Sequence, residues 1–424
     1  MEGTNLKNYA VVGFGCAGYH AAEAIRRQDA GAQIHVFETL CEPPFNPMLS
    51  TYYASGKIPR EQSFVFGPLE QISRDLSLAL HTGVTVEAVR GRERALLLSN
   101  SEQPSFDGIV IATGARAFAP PIPGLPDRRV FLMRTLQDAE DLRDYLDANP
   151  IKTGVVVGAS MVGIKVAQLL YERAVATTVV DAAPRLFPLA AMEPLSRRME
   201  ARLREMGLDF RWNAGVEAIE PEGVRIATGE LLPADVICLC IGTRANTGIV
   251  SAPDSGVAVN RGIVVDTRMR TSAEGIYAAG DCCEGNNLQS GQTQIIGLWA
   301  NAGCQGRTAG TVCAGGHADY AGNIIHNITH FMGMEFVGLG DNRIQGKHLV
   351  YEKDGMYLEV VLADGKICCA NLLDCGNISG VLKSLMLRQL TGESPTLTPM
   401  QRAYLRGRGL PESYISQIEG EDHE

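Results

Sequence analysis

The sequence predicts an α/β fold: two Rossmann-like units followed by a C-terminal α+β domain. Three observations predict it. An apolar run, a glycine-rich turn and a helical stretch follow one another twice, first from Tyr9 and again from Gly154. Near the far end, Asp364-Gly365 stands between alternating apolar runs, a strong local signal for a β-hairpin. The length of 424 residues, with 46 glycines and 45% hydrophobic residues, suits about three compact domains rich in tight turns.

Tyr9 to Val12 suits a buried parallel strand and runs into Gly13-Phe14-Gly15-Cys16-Ala17-Gly18, then the helix former AAEAIRRQ. In this order Gly13 makes the tight turn, Gly15 lets the backbone approach a pyrophosphate, and Gly18 lets helix and strand pack closely. The helix N-terminus adds free N–H groups and a positive dipole end for the phosphates. The next strand, Gln33 to Phe37, ends in Glu38, 20 residues beyond Gly18, where a carboxylate accepts from ribose hydroxyls. The pattern repeats as Gly154 to Val157, then Gly158-Ala159-Ser160-Met161-Val162-Gly163 and IKVAQLLYERA, with Ser160 narrowing the backbone approach. The strand Thr177 to Val180 ends in Asp181, 18 residues beyond Gly163. A carboxylate there favours a free 2′-hydroxyl and repels a 2′-phosphate, which predicts NADH over NADPH; Arg185 is the nearby group able to accommodate that phosphate.

These residues resemble the FAD/NAD(P)-dependent pyridine nucleotide-disulfide oxidoreductase superfamily, and the likeness runs along most of the chain. Asp107-Gly108-Ile109-Val110-Ile111-Ala112-Thr113-Gly114 is similar to the segment where that family's chain leaves its FAD domain. Pro121 to Gly124, Arg134-Thr135 with Asp138-Ala139, Cys240 to Asn246 and Gly275 to Asp281 are similar to later motifs, with Ala245 where the family has proline. The resemblance implies FAD held by Gly13, Gly15, Gly18, Glu38, Thr113, Gly114, Arg134, Gly280 and Asp281. It implies NADH held by Gly158, Ser160, Gly163, Asp181 and Gly242. Because the FAD motifs bracket the second unit, it implies a discontinuous FAD domain, residues 1–118 and 248–320, around an NAD domain, residues 119–247. Residues 321–424 resemble the family's C-terminal domain, which commonly mediates homodimers. Cofactors held face to face would pass hydride from nicotinamide C4 to flavin N5.

The segment after Glu38 separates branches of this family. Disulfide reductases carry a CxxxxC pair there, and NADH oxidases and CoA-disulfide reductases carry a single cysteine where this chain has Met48. Pro44-Phe45-Asn46-Pro47-Met48-Leu49-Ser50 is instead similar to the segment of rubredoxin, ferredoxin and nitrite reductases, which pass electrons outward without a protein thiol. Asn46 replaces their basic residue, so the charge it supplies near the flavin is either missing here or comes from elsewhere, with Lys57 as the candidate. Cys41, beside Glu42 and two prolines, reads as structural and is the candidate nucleophile of a thiol-dependent alternative. Cys282-Cys283 is expected at a helix start, packing as apolar residues, because vicinal cysteines rarely form an unstrained disulfide. Cys368-Cys369 is expected on a strand, one side chain inward and one outward.

His326 and His330 are four apart on a strand and share a face, which makes them further catalytic candidates against the plainer role of histidines held by hydrogen bonds. Lys165 stands where relatives often carry a Glu that helps to place the nicotinamide, and a lysine cannot accept from the carboxamide N–H. Trp299, with Asn301-Ala302 and Gln305-Gly306, is similar to the helix that covers the flavin pyrimidine. No metal site is expected: HNITH lacks the glutamate of HExxH, and no CxxC occurs.

A net charge of −10 argues against nucleic acid as a partner. No apolar run approaches the roughly 20 residues of a membrane span. The start MEGTNLKNYAVVGFG has no signal-peptide pattern, and the 11 cysteines, an odd count, fit reduced thiols, so a cytoplasmic protein is expected. The tail IEGEDHE is expected to fray. Four functions fit these readings. The first is a reductase serving an electron-carrier protein or partner subunit, and the second reduces a small organic substrate in the same pocket. The third is a thiol-dependent enzyme using Cys41, and the last a flavin- and NAD-binding interaction protein without turnover.

Overall fold

The computed structural model describes residues 6–420. Continuous apolar runs become parallel strands covered on both faces: β1 (Asn8–Val12), then helix α1 (Cys16–Gln28) and β2 (Gln33–Glu38). A short helix α2 (Ser50–Ala54) and strands β3 (Leu78–Thr82) and β4 (Gly108–Ile111) follow, and β5 (Ala115–Ala117) leads out. The chain then builds β6 (Val130–Phe131), α3 (Leu136–Ala148), β7 (Thr153–Val157), α4 (Met161–Glu172), β8 (Ala176–Val180), β9 (Asp209–Arg211) and β10 (Val236–Leu239). β11 (Thr243–Ala245) pairs antiparallel with β5 on the way back. Strand β12 (Ile276–Ala278) then pairs with β4, and helix α5 (Trp299–Cys313) packs on α1.

The strand orders are β12-β4-β1-β2-β3 and β9-β8-β7-β10-β6. In each sheet the glycine turn leaves the central strand, where the chain order reverses, which is where open parallel sheets bind ligands. The third unit is an antiparallel sheet of β13 (His326–Phe331), β14 (Met334–Gly340), β15 (Lys347–Lys353), β16 (Met356–Ala363) and β17 (Lys366–Leu373), in the order β13-β14-β17-β16-β15. Helices α6 (Ser379–Thr391), α7 (Pro399–Gly407) and α8 (Glu412–Ile418) cover one face. Asp364 and Gly365, with φ of 51° and 70°, form the two-residue hairpin between β16 and β17. Alternation sends Val337, Val360 and Leu372 toward the helices and Phe336, Tyr357 and Leu373 toward the second unit.

Three expectations fail here. Cys282 lies in a turn that enters a short strand, Cys283–Asn286, where a helix start was expected. Cys368 and Cys369 are both buried, at 7% and 0% exposure, because β17 is covered on both faces. The tail is packed as far as it is described: Ile418 is buried, and the buried Glu419 accepts from the Leu397 N–H and pairs with Arg402. The rest of IEGEDHE, residues 421–424, and residues 1–5 of the N-terminal stretch lie outside the described residues. Among the described residues no helix is long and apolar enough to cross a membrane.

Candidate functional site

A cavity of about 510 Å³ opens at the C-terminal ends of β1, β2, β4 and β12. Of the residues expected to hold FAD, Gly13, Gly15, Glu38, Thr113, Gly114, Arg134, Gly280 and Asp281 line it, and Gly18 lies behind. A Cβ on Gly13 would stand 2.5 Å from the Ala112 carbonyl oxygen, and one on Gly18 2.0 Å from that of Gly13, so both positions require glycine for close approach. A Cβ on Gly15 would meet nothing within 4 Å, which leaves bare backbone facing room for a pyrophosphate. Glu38 accepts from the Phe14 N–H (2.7 Å) and the Leu40 N–H (3.0 Å), tying the end of β2 to the glycine turn. The Arg134 Nη2 donates to Asp281 (2.8 Å) and its Nε to the Ala115 carbonyl (3.1 Å). The Thr113 hydroxyl donates to the Asn246 carbonyl (2.7 Å), and the Asn246 Nδ2 donates to the Thr113 carbonyl (2.9 Å). This pair clips the outgoing chain to the returning one.

The second glycine turn repeats the first. Its closest approaches are 2.5 Å from a Gly158 Cβ to the Cys240 carbonyl oxygen and 1.9 Å from a Gly163 Cβ to that of Gly158. Asp181 accepts from the Ala159 N–H (2.7 Å) and the Ala183 N–H (2.8 Å), as Glu38 does in its own turn. The Ser160 hydroxyl caps α4, accepting from the Gly163 N–H (3.1 Å) and donating to the Cys240 carbonyl (2.8 Å). It is engaged within the turn. Gly242 is exposed, with open space where a Cβ would be, and Arg185 donates to the Pro188 carbonyl (3.4 Å).

Phe45, Asn46, Pro47 and Met48 form one wall of the cavity, with Met48 60% exposed at its rim. Gly297, Leu298, Trp299 and Ala302 form the other. Behind Trp299, Phe66 stacks at 5.8 Å and Tyr19 stacks on Phe66 at 3.9 Å, an aromatic row that no fixed sequence spacing announces. Cys16 lines the cavity and donates to the Trp299 carbonyl (3.3 Å); burial pushes its thiol up to about 12.

Residues 7–306 match the family of pyridine nucleotide-disulphide oxidoreductases. The chain belongs to this family. It is therefore an NAD(P)H-dependent flavin oxidoreductase; the family and its neighbours use FAD and NADH, with NADPH variants, and both glycine turns fit dinucleotides. One relative is the NADH-dependent phenylglyoxylate dehydrogenase subunit epsilon of Aromatoleum evansii, 28% identical over 408 residues, which cover 94% of each chain. Among solved structures, a NAD-dependent persulfide reductase from A. fulgidus shares the fold with a TM-score of 0.85 at 24% identity, covering 97% of this chain and 82% of the other. Putidaredoxin reductase, in its covalent complex with putidaredoxin, does so with a TM-score of 0.83 at 22% identity, covering 95% and 99%.

In this oxidoreductase the remaining candidates stand apart from the cavity. Cys41 is exposed and does not line it. Lys57 supplies no charge to the cavity, because it pairs with Glu172 (2.6 Å) on α4. His326 accepts from Lys383 (3.1 Å), and burial beside that cation pushes its pKa down to about 4. His330 is exposed and bonded to Glu335 (2.9 Å). Lys165 donates to the His330 carbonyl, away from the cavity. Among the described residues no group of His, Cys, Asp and Glu could hold a metal.

Proposed function

We propose that this enzyme takes hydride from NADH onto FAD and hands electrons to a protein electron carrier or partner subunit, with no protein thiol in the relay. FAD lies at the first glycine turn in this reading: the turn N–H groups and the α1 N-terminus hold the pyrophosphate, Glu38 accepts from the adenosine ribose, and Asp281, oriented by Arg134, accepts from the ribityl chain. NADH lies at the second turn, with Asp181 on its adenosine ribose. Once bound, the flavin supplies the capacity to accept hydride and release electrons singly. The protein positions the two rings and keeps water from between them.

The observation that carries the thiol-free reading is the wall Phe45–Met48. Met48 stands at its rim, and the cysteine that does line the cavity, Cys16, is held protonated and bonded to a backbone carbonyl, where it is a poor nucleophile. The relative named as a subunit and the reductase solved with putidaredoxin support a protein acceptor. Anaerobic titration with NADH tests the relay: the flavin band should bleach with no rise in titratable thiols, and Cys41→Ser should turn over at the wild-type rate. Loss of turnover in that variant would overturn the reading.

A further inference from the structure

Lys165, the residue that breaks the family pattern after the second glycine turn, is engaged at both ends of its reach. Its Nζ donates to the carbonyl of His330 on β13 (2.5 Å) and lies 4.0 Å from the ring centroid of Tyr52 on α2. One turn further along α4, Gln168 donates to Glu172 (2.7 Å), which pairs with Lys57 just past α2 (2.6 Å). The neighbouring tyrosine is held from the other side: the Tyr53 hydroxyl donates to Glu140 on α3 (3.1 Å), and Arg143 of α3 stands 4.7 Å over its ring. The consecutive tyrosines of α2 are thus each capped by a cation from the second unit. A helix of five residues cannot maintain itself and takes its place from such contacts. It directly follows the cavity wall, and the Ser50 hydroxyl donates to the Pro47 carbonyl (2.8 Å).

We propose that Lys165 is a positioning residue. It pins α2 and β13 to the helix of the second glycine turn, and so fixes where the Phe45–Met48 wall stands relative to the nicotinamide. A glutamate could do neither task, since at neutral pH it has no proton for the His330 carbonyl and is repelled by the face of the Tyr52 ring. The consequence for catalysis rests on the reading that NADH binds at Gly158–Gly163; the pinning itself does not.

Two measurements separate these. In the full-length apoprotein, Lys165→Met should speed amide hydrogen exchange across residues 50–56 and 326–331 by about tenfold. Tyr52→Leu should do the same over residues 50–56, and Lys165→Arg and Tyr52→Phe, which keep a cation over a ring, should match wild type. In the holoenzyme, Lys165→Met should lower the limiting rate of anaerobic flavin reduction by about tenfold at unchanged FAD content, with little change in the NADH concentration for half-saturation. Unchanged exchange in Lys165→Met overturns the proposal. A raised half-saturation at an unchanged limiting rate also overturns it, by showing direct contact with the nicotinamide. Wild-type flavin that NADH fails to bleach would instead remove the assignment of the NADH site, and with it the catalytic half of the proposal.

Discussion

Glu38 and Asp181 each end a strand and turn both carboxylate oxygens onto backbone N–H groups beside a glycine turn. Each carboxylate is held still by two such bonds, so in the proposed cofactor sites it would meet a ribose without being reordered. Asp181→Ala should cut the preference for NADH over NADPH by about tenfold, read as the ratio of kcat/KM values, because a 2′-phosphate would no longer face a fixed negative charge; an unchanged ratio would show that Asp181 does not face the ribose. His326 gives a second prediction at this scale. Its pKa falls from 6.5 to about 4 in the folded chain. Between about pH 6.5 and 4 the unfolded chain therefore takes a proton that the folded chain refuses, stability falls as pH falls, and the loss is complete near pH 4. His326→Gln should flatten this part of the Tm–pH curve, by up to about 3 kcal/mol at its acid end. Both carboxylates were legible in the sequence, since their place depends on spacing within one βαβ unit. Lys57 and Lys165 were not, because their partners lie 115 and 165 residues away, where no local pattern points.

Helices α1 and α5 cross in near backbone contact. A Cβ on Gly306 would stand 2.3 Å from the Ala17 carbonyl oxygen, and one on Gly310 2.2 Å from that of Ala21. These are backbone atoms, so Gly306→Ala must push the helices apart, and with them the glycine turn and Trp299, which meet at the N-terminal ends of the two helices. It should cost roughly 1–3 kcal/mol in thermal or denaturant unfolding and lower FAD retention after dialysis. Gly407, also helical, has nothing within 4 Å of a Cβ. Gly407→Ala should be neutral or stabilising by up to about 1 kcal/mol; an equal loss in the two variants would show that the crossing does not decide the effect. The element scale also shows where sequence reading falters. The Asp-Gly signal read at 364–365 occurs again at 354–355, where Asp354 and Gly355 turn β15 into β16, yet the polar run before it masked the strand. The chain after Asp281 suggested a helix start because a glycine-rich turn precedes it. The β-bonds of Cys283 to Ile263 and of Gly285 to Gln294, which make it a strand, lie outside that local window.

The third unit is built onto the second. Phe187, in the loop after β8, packs edge-on against Phe331 at 5.6 Å and stacks with Phe336 at 5.3 Å, within one core shared by both units. Asn371, fully buried on β17, accepts from the Met192 N–H (2.6 Å) and donates to the Ala190 carbonyl (2.9 Å). These bonds close the far end of the loop whose near end is Asp181, so the C-terminal sheet bears on the adenosine end of the proposed NADH site without touching Asp181. Asn371→Leu keeps the branched shape and removes both partners, leaving a buried N–H and C=O unpaired at about 1–3 kcal/mol each. The loop should then loosen at its Asp181 end. The expected outcome is a rise in KM for NADH of several-fold to about tenfold, with FAD content unchanged, since no residue of the first cavity depends on that loop. Equal losses of FAD and NADH binding would mean that the third unit steadies the whole chain and does not act on one site. An unchanged KM would mean that Asp181 is held by its own turn alone, through Ala159 and Ala183.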